Sequence, residues 1–325
     1  MPSNASVSDN EFPGLNEQFY EMAPHRYLDS RLTALLLMVG EEDDQAQSPK
    51  SIRFGSITAE VEGLSRQERS EYAAIESTVL LHHASEALLR LYLAHARSNP
   101  CPWVALSEFT NAREFKEAVR KLRRDLEREE TMADLLTVFT GSPDRSIFVD
   151  ETEERWIDHR DALVLLVHHC ADVFLNQSNI YNAAKHGLAL GSQEVGFSLK
   201  PPGDAPALER TGPTLNFLET AGPPNDKHWR RTLQFVQPDT NVGWVALILR
   251  EIKVLWSIAR RRRVRNVDEL HITFLQLGAV KELLRQEAPD AMNLSGFSER
   301  LHADKPQPAG SGRSIRSPRP QIRRR

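Results

Sequence analysis

The chain has 325 residues, 40% hydrophobic and 26% charged, which suits one large globular domain or two ordinary ones and excludes a wholly disordered chain. Its net charge of −4 is unevenly spread, because residues 304–325 hold one acid and seven bases, a local +6, and leave −10 for the rest. An acidic body argues against a broad nucleic-acid groove and leaves room only for a local basic patch.

Residues 1–60 read as an irregular leader with a short helix or strand at the apolar run 32–39, followed by an acidic loop at 40–50. A helical bundle is predicted over 61–190. Its first helix covers 65–97, opened by the capping-box pair Ser65 and Glu68 and stopped by Pro100 and Pro102. A charged helix follows, from 107 or 110 to 130, then a shorter segment at 132–139. The spacing of Trp156, Leu163, Leu166, Val167, Cys170 and Val173 predicts one long helix over 151–184, ended by Gly187. Residues 191–240 gather Gly and Pro between short apolar runs at 195–199, 214–218 and 232–236, and read as a β-containing insertion. Helical periodicity returns at 242–263 and 267–286, so 241–300 are expected to close onto the bundle. Residues 301–325, rich in Pro, Ser, Gly and Arg, read as a disordered basic tail. The fold class is therefore mainly α, a helical bundle with a small β-rich insertion and a disordered basic C-terminal tail.

Cys101 and Cys170 lie in or beside apolar stretches and fit neither a metal framework nor a disulfide scaffold, so a reducing compartment is expected. The N-terminus lacks the basic and apolar regions of a signal peptide. The longest apolar run, 242–258, is interrupted by Arg250, Glu251 and Lys253, so no membrane span and a cytoplasmic location are expected. No phosphate-binding glycine loop, nucleophile elbow or metal-ligand spacing is present, and no metal or cofactor is expected.

Candidate functional residues fall in three groups. His169, Asp172, Asn176, Asn179, Asn182 and His186 recur every three or four residues and would draw one polar stripe along a helix. Asn and Asp disfavour helix interiors, so such a stripe invites a functional reading; a solvated face with a frayed end is the plainer one. On the earlier helix, His83 and Glu86 could orient one another as a base and its partner do, or belong to an exposed charge ladder with His82 and Arg90. If the two helices pack side by side, both faces would open onto one cleft. Arg261, Arg262 and Arg263 suit the negative end of the helix dipole, and would equally suit phosphate contact.

The run Tyr181-Asn182-Ala183-Ala184-Lys185-His186-Gly187 resembles the motif of the HEPN group of helical bundles, many of them ribonucleases of toxin and antiviral systems. Asn182 and His186 match the polar residue and the histidine of that motif, and Tyr181 stands where the group has arginine. The resemblance implies a homodimer with a phosphodiester between its motifs. Without the arginine fork the cation that would stabilise the transition state is absent, and Lys185 supplies only a point charge. The chain is also similar to bacterial proteins with no assigned activity.

Three readings follow. The first is a non-catalytic HEPN-like binding or interaction module, homodimeric, with RNA or another acidic partner reached through the Arg-rich segments. The second is a metal-independent endoribonuclease in which His186 acts with Asn182 and Lys185. The third is a small-molecule enzyme using a cleft between His83/Glu86 and Asp172/Asn176.

Overall fold

The structure is a computed structural model and describes residues 7–40, 50–96, 99–109, 111–148, 151–185, 190–199, 208–223, 226–264, 272–287 and 296–300. Among these lie ten α-helices and six strands, so the protein is mainly α with a small antiparallel sheet. The expected tail, 301–325, and His186 lie outside the described residues.

Residues 12–40 are not an irregular leader. They form α1 (Phe12–Phe19), with Pro13 in its first turn, and α2 (His25–Gly40). Leu28, Leu32 and Leu35 are the buried stripe of α2. The exposed Leu36 and Leu37 beside that stripe blur its period in the sequence. A hairpin of β1 (Lys50–Phe54) and β2 (Ile57–Val61) follows, with every residue exposed.

The central helix is α3 (Arg66–His95). Its capping box forms as expected: the Ser65 hydroxyl accepts from the Glu68 N–H (3.2 Å) and the Glu68 carboxylate accepts from the Ser65 N–H (2.8 Å). Leu80, Leu81, Ala84, Leu88 and Leu89 are fully buried because α3 is flanked by other helices on several sides. The charged helix expected next is divided into α4 (Pro102–Glu108) and α5 (Ala112–Asp125). Pro102 opens α4, and the Asn111 side chain caps α5 by accepting from the Arg113 N–H. Helix α6 (Glu129–Thr140) ends on Gly141, whose φ of 89° is the left-handed cap that glycine adopts freely.

The long helix expected over 151–184 breaks in two, α7 (Glu153–Asn176) and α8 (Ser178–Ala184). Gln177 leaves helical geometry at φ −101°, ψ 14°, amid the Asn residues that support a helix poorly. Asn179 then donates to Glu219 (2.7 Å) and ties α8 to the sheet.

The insertion is a meander of β3 (Leu190–Leu199), β4 (Leu208–Ala221) and β5 (His228–Phe235). Its fourth strand, β6 (Gly296–Arg300), comes from the closing segment expected to be helical, and Gln234 pairs with Gly296. Leu215, Phe217 and Val236 form a second apolar cluster with Ala74 of α3 and Ile180 and Ala183 of α8. Gly222 ends β4 at φ 98°, and a Cβ there would stand 2.2 Å from the Asp226 carbonyl oxygen. Gly222→Ala is therefore expected to cost about 1–3 kcal/mol, read as a lowered urea midpoint. An unchanged midpoint would show that this turn relaxes freely.

The chain closes with α9 (Pro238–Arg263) and α10 (Leu277–Glu287). Residues 272–276, expected in the last helix, are not helical, because the Leu275 N–H donates to His159 Nδ1 (2.7 Å) and Phe274 stacks on the His159 ring. Trp244, Phe115 and Phe139 are the bulkiest fully buried side chains of the core between α3, α5, α6, α7 and α9. Both cysteines are free and buried. No helix among the described residues is long and apolar enough to cross a membrane.

Candidate binding site

The strongest convergence of polar side chains joins α2, α3 and α8. Arg31 of α2 reaches Glu76 with Nε (3.0 Å) and a terminal nitrogen (2.6 Å). Its other terminal nitrogen meets His83 Nδ1 at 2.6 Å, and His83 Nε2 lies 2.8 Å from the Tyr181 hydroxyl. A guanidinium only donates. His83 Nδ1 must therefore accept, Nε2 carries the ring proton, and that proton is donated to the Tyr181 oxygen. The phenol proton is left without an acceptor among the described residues. Burial, and then the Arg31 charge, push the His83 pKa down and keep the ring neutral. Burial and then the nearby Glu86 carboxylate push the Tyr181 pKa up, so the phenol keeps its proton.

His82 stacks flat on Tyr181, with ring centroids 3.8 Å apart and planes 4° apart. Neither of its nitrogens has a hydrogen-bond partner, and burial lowers its pKa to about 4. Lys185 sits 5.5 Å from the Tyr181 ring centre and donates to Asn182 (3.0 Å). Around this relay the charges nearly cancel. Arg31 pairs with Glu76, and Arg90 pairs with Glu86 (2.7 Å) while lying over the Phe115 ring. Lys185 is in no ion pair among the described residues. The exposed side of the cluster thus offers a phenol proton, an ammonium and an amide.

The predicted site residues divide between this cluster and others. His83, Glu86, Asn182 and Lys185 belong here. Asp172 and Asn176 do not: Asp172 pairs with Arg123 of α5 (2.7 Å) and with His168 (3.0 Å), and Asn176 donates to Asp172 (3.2 Å). Phe174, two residues on and about 200° around the helix from Asp172, is the side chain of α7 that meets His82. The cleft expected between His83/Glu86 and Asp172/Asn176 is therefore replaced by two separate polar groups with Phe174 toward one of them. The expected single stripe is also divided. His169 is buried against Trp244, with ring centroids 3.7 Å apart, and Asn179 is spent on Glu219.

Arg262 and Arg263 are engaged with main-chain carbonyls. Arg262 donates to Gly141 at the end of α6, and Arg263 donates to Asn99 and to Pro100 (2.7 Å). They stitch the end of α9 to neighbouring loops, while Arg261 stays exposed. Among the described residues no three His, Cys, Asp or Glu side chains come together as metal ligands.

Two participants had no signal in the sequence. Arg31 lies in the stretch that reads as a leader, and Tyr181 reads only as a departure from an arginine motif. No protein-family model, curated protein or solved structure matches the chain.

Proposed function

We propose that the chain is a non-catalytic, HEPN-like binding module that holds an anionic group, with single-stranded RNA as the partner chemistry, at the outer side of the Arg31–His83–Tyr181 relay. The observation that carries this reading is the state of His83. Both of its nitrogens are occupied, one accepting from Arg31 and the other donating to Tyr181, so no lone pair is free to take a proton from a nucleophile. What remains on the surface is donor chemistry, the Tyr181 phenol, the Lys185 ammonium and the Asn182 amide, which suits a phosphate oxygen.

A guanidinium beside the motif comes from Arg31 rather than from position 181, but Glu76 already neutralises it. It lacks the free fork that would stabilise a transition state. Homodimerisation belongs to the same reading, since the family it resembles places its motifs at a dimer interface. The two free thiols suit a reducing compartment such as the cytoplasm.

Tyr181→Phe keeps the ring over His82 and removes the phenol donor. It is expected to weaken RNA binding about threefold to tenfold in a fluorescence-anisotropy titration with labelled single-stranded RNA at low salt. Equal affinity in the variant, or no saturable binding by the wild type, would remove this reading.

A further inference from the structure

A second polar site lies away from the relay, where α7 gives way to α8 and the end of α10 comes down beside them. Two cavities meet there, of about 280 Å³ and about 230 Å³, and Gln177 and Glu287 line both. The first is walled by the α7 side chains His168, His169, Asp172 and Asn176. The second adds Gln234, Gln237 and Asn241, with threonine hydroxyls and no lysine or arginine.

Glu287 is the group without a counter-charge among the described residues. Asp172 is paired with Arg123 and also meets His168, whereas the only charged-type partner of Glu287 among the described residues is His169, at 3.4 Å. His169 cannot serve as that counter-charge. Its ring is 7% exposed, it is stacked on Trp244, and burial lowers its pKa to about 3. Its Nε2 is buried with no hydrogen-bond partner, although the ring lines the first cavity. Burial pushes the Glu287 carboxyl up to about 7, and the Trp244 indole nitrogen is buried with no hydrogen-bond partner. A partly exposed carboxyl with no cation beside it among the described residues, in a cavity lined by side-chain amides, is an incomplete ion pair.

We propose that these joined cavities bind a small organic ammonium ion, with Glu287 as the anionic anchor and the side-chain oxygens of Gln177 and Asn241 accepting its remaining N–H groups. An anion is disfavoured by the unpaired Glu287 carboxylate. An uncharged polyol would leave the carboxyl as it is, still short of a partner. A divalent metal would need three hard ligands in one place, which the described residues do not bring together.

The test is isothermal titration calorimetry on the full chain at pH 8, with 1,4-diaminobutane as probe, 1,4-butanediol as its uncharged counterpart, and Glu287→Gln beside the wild type. The Trp244 indole N–H resonance locates the event. Saturable binding of the diamine, a shift at Trp244, at least about tenfold weaker binding in Glu287→Gln, and no binding of the diol are expected. A matching thermal melt for the variant shows that it is folded. Absence of saturable diamine binding to the wild type, or equal binding by a folded Glu287→Gln, overturns the proposal.

Discussion

Taking the protein from pH 7 to pH 5 is expected to remove about 3 kcal/mol of stability, a large share of the margin of an ordinary domain. Four histidines are buried with their pKa held down by desolvation: His82, His95 and His159 to about 4, and His169 to about 3. In the unfolded chain each takes a proton near its ordinary 6.5. In the folded chain none does until the pH is far lower, so acid favours unfolding from about pH 6.5 downward. Two carboxyls, Glu251 in the core and the partly exposed Glu287, act in the opposite sense. Glu251 and Glu287 are raised to about 7, so the folded state holds their protons between that value and the ordinary 4.5. Around pH 5.5 the unfolded state therefore binds about two more protons than the folded one, which gives a slope of roughly 3 kcal/mol per pH unit. Urea midpoints measured between pH 5 and 7 read this directly, and a flat profile would mean that the histidines are not buried as described. His82→Phe isolates one contributor. It keeps the stack on Tyr181, removes two unpartnered nitrogens, and is expected to flatten the profile by about one proton.

Trp244→Ala is expected to cost about 3–5 kcal/mol. Trp244 is fully buried and among the bulkiest side chains of the core, and its ring covers His169. Removing it leaves a void between α3, α7 and α9, and exposes a histidine that the fold keeps neutral. Exposure lets His169 take its proton in the folded state nearer the ordinary pH, so the variant loses less stability in acid than the wild type, and the loss should be smaller at pH 5.5 than at pH 7.5. A loss below about 1 kcal/mol at both pH values would mean that α9 repacks over the gap.

What the sequence made legible is what local chemistry determines. The Ser65–Glu68 cap, the buried rows of α3 and α7, and the Gly- and Pro-rich change of character before β3 all follow from neighbours within a few residues. The parts that escaped depend on distant partners. Strand β6 exists because Phe297 pairs with Leu233. The departure from helix at 272–276 involves a hydrogen bond to His159, 116 residues earlier. Helices α1 and α2 pack on elements whose positions no local pattern specifies.

The candidate site divided in the same way. Helical spacing put His83 and Glu86 on one helix and Asn182 and Lys185 on another, and the fold brings those together. The same spacing grouped Asp172 and Asn176 with them, but it cannot register the break at Gln177 or the Phe174 side chain turned toward His82. Arg31 carried no signal at all, because an arginine in an unassigned segment resembles any other. Its identity as the donor to His83 emerges only once α2 lies against α3.

Incubating the full-length protein with single-stranded RNA in the presence of a chelator, beside His83→Ala and His186→Ala, tests the non-catalytic reading most directly. The relay of Arg31, His83 and Tyr181 predicts that the RNA stays intact in all three while the wild type binds it. RNA cut by the wild type and spared by either variant would contradict that reading and place the chain among metal-independent endoribonucleases.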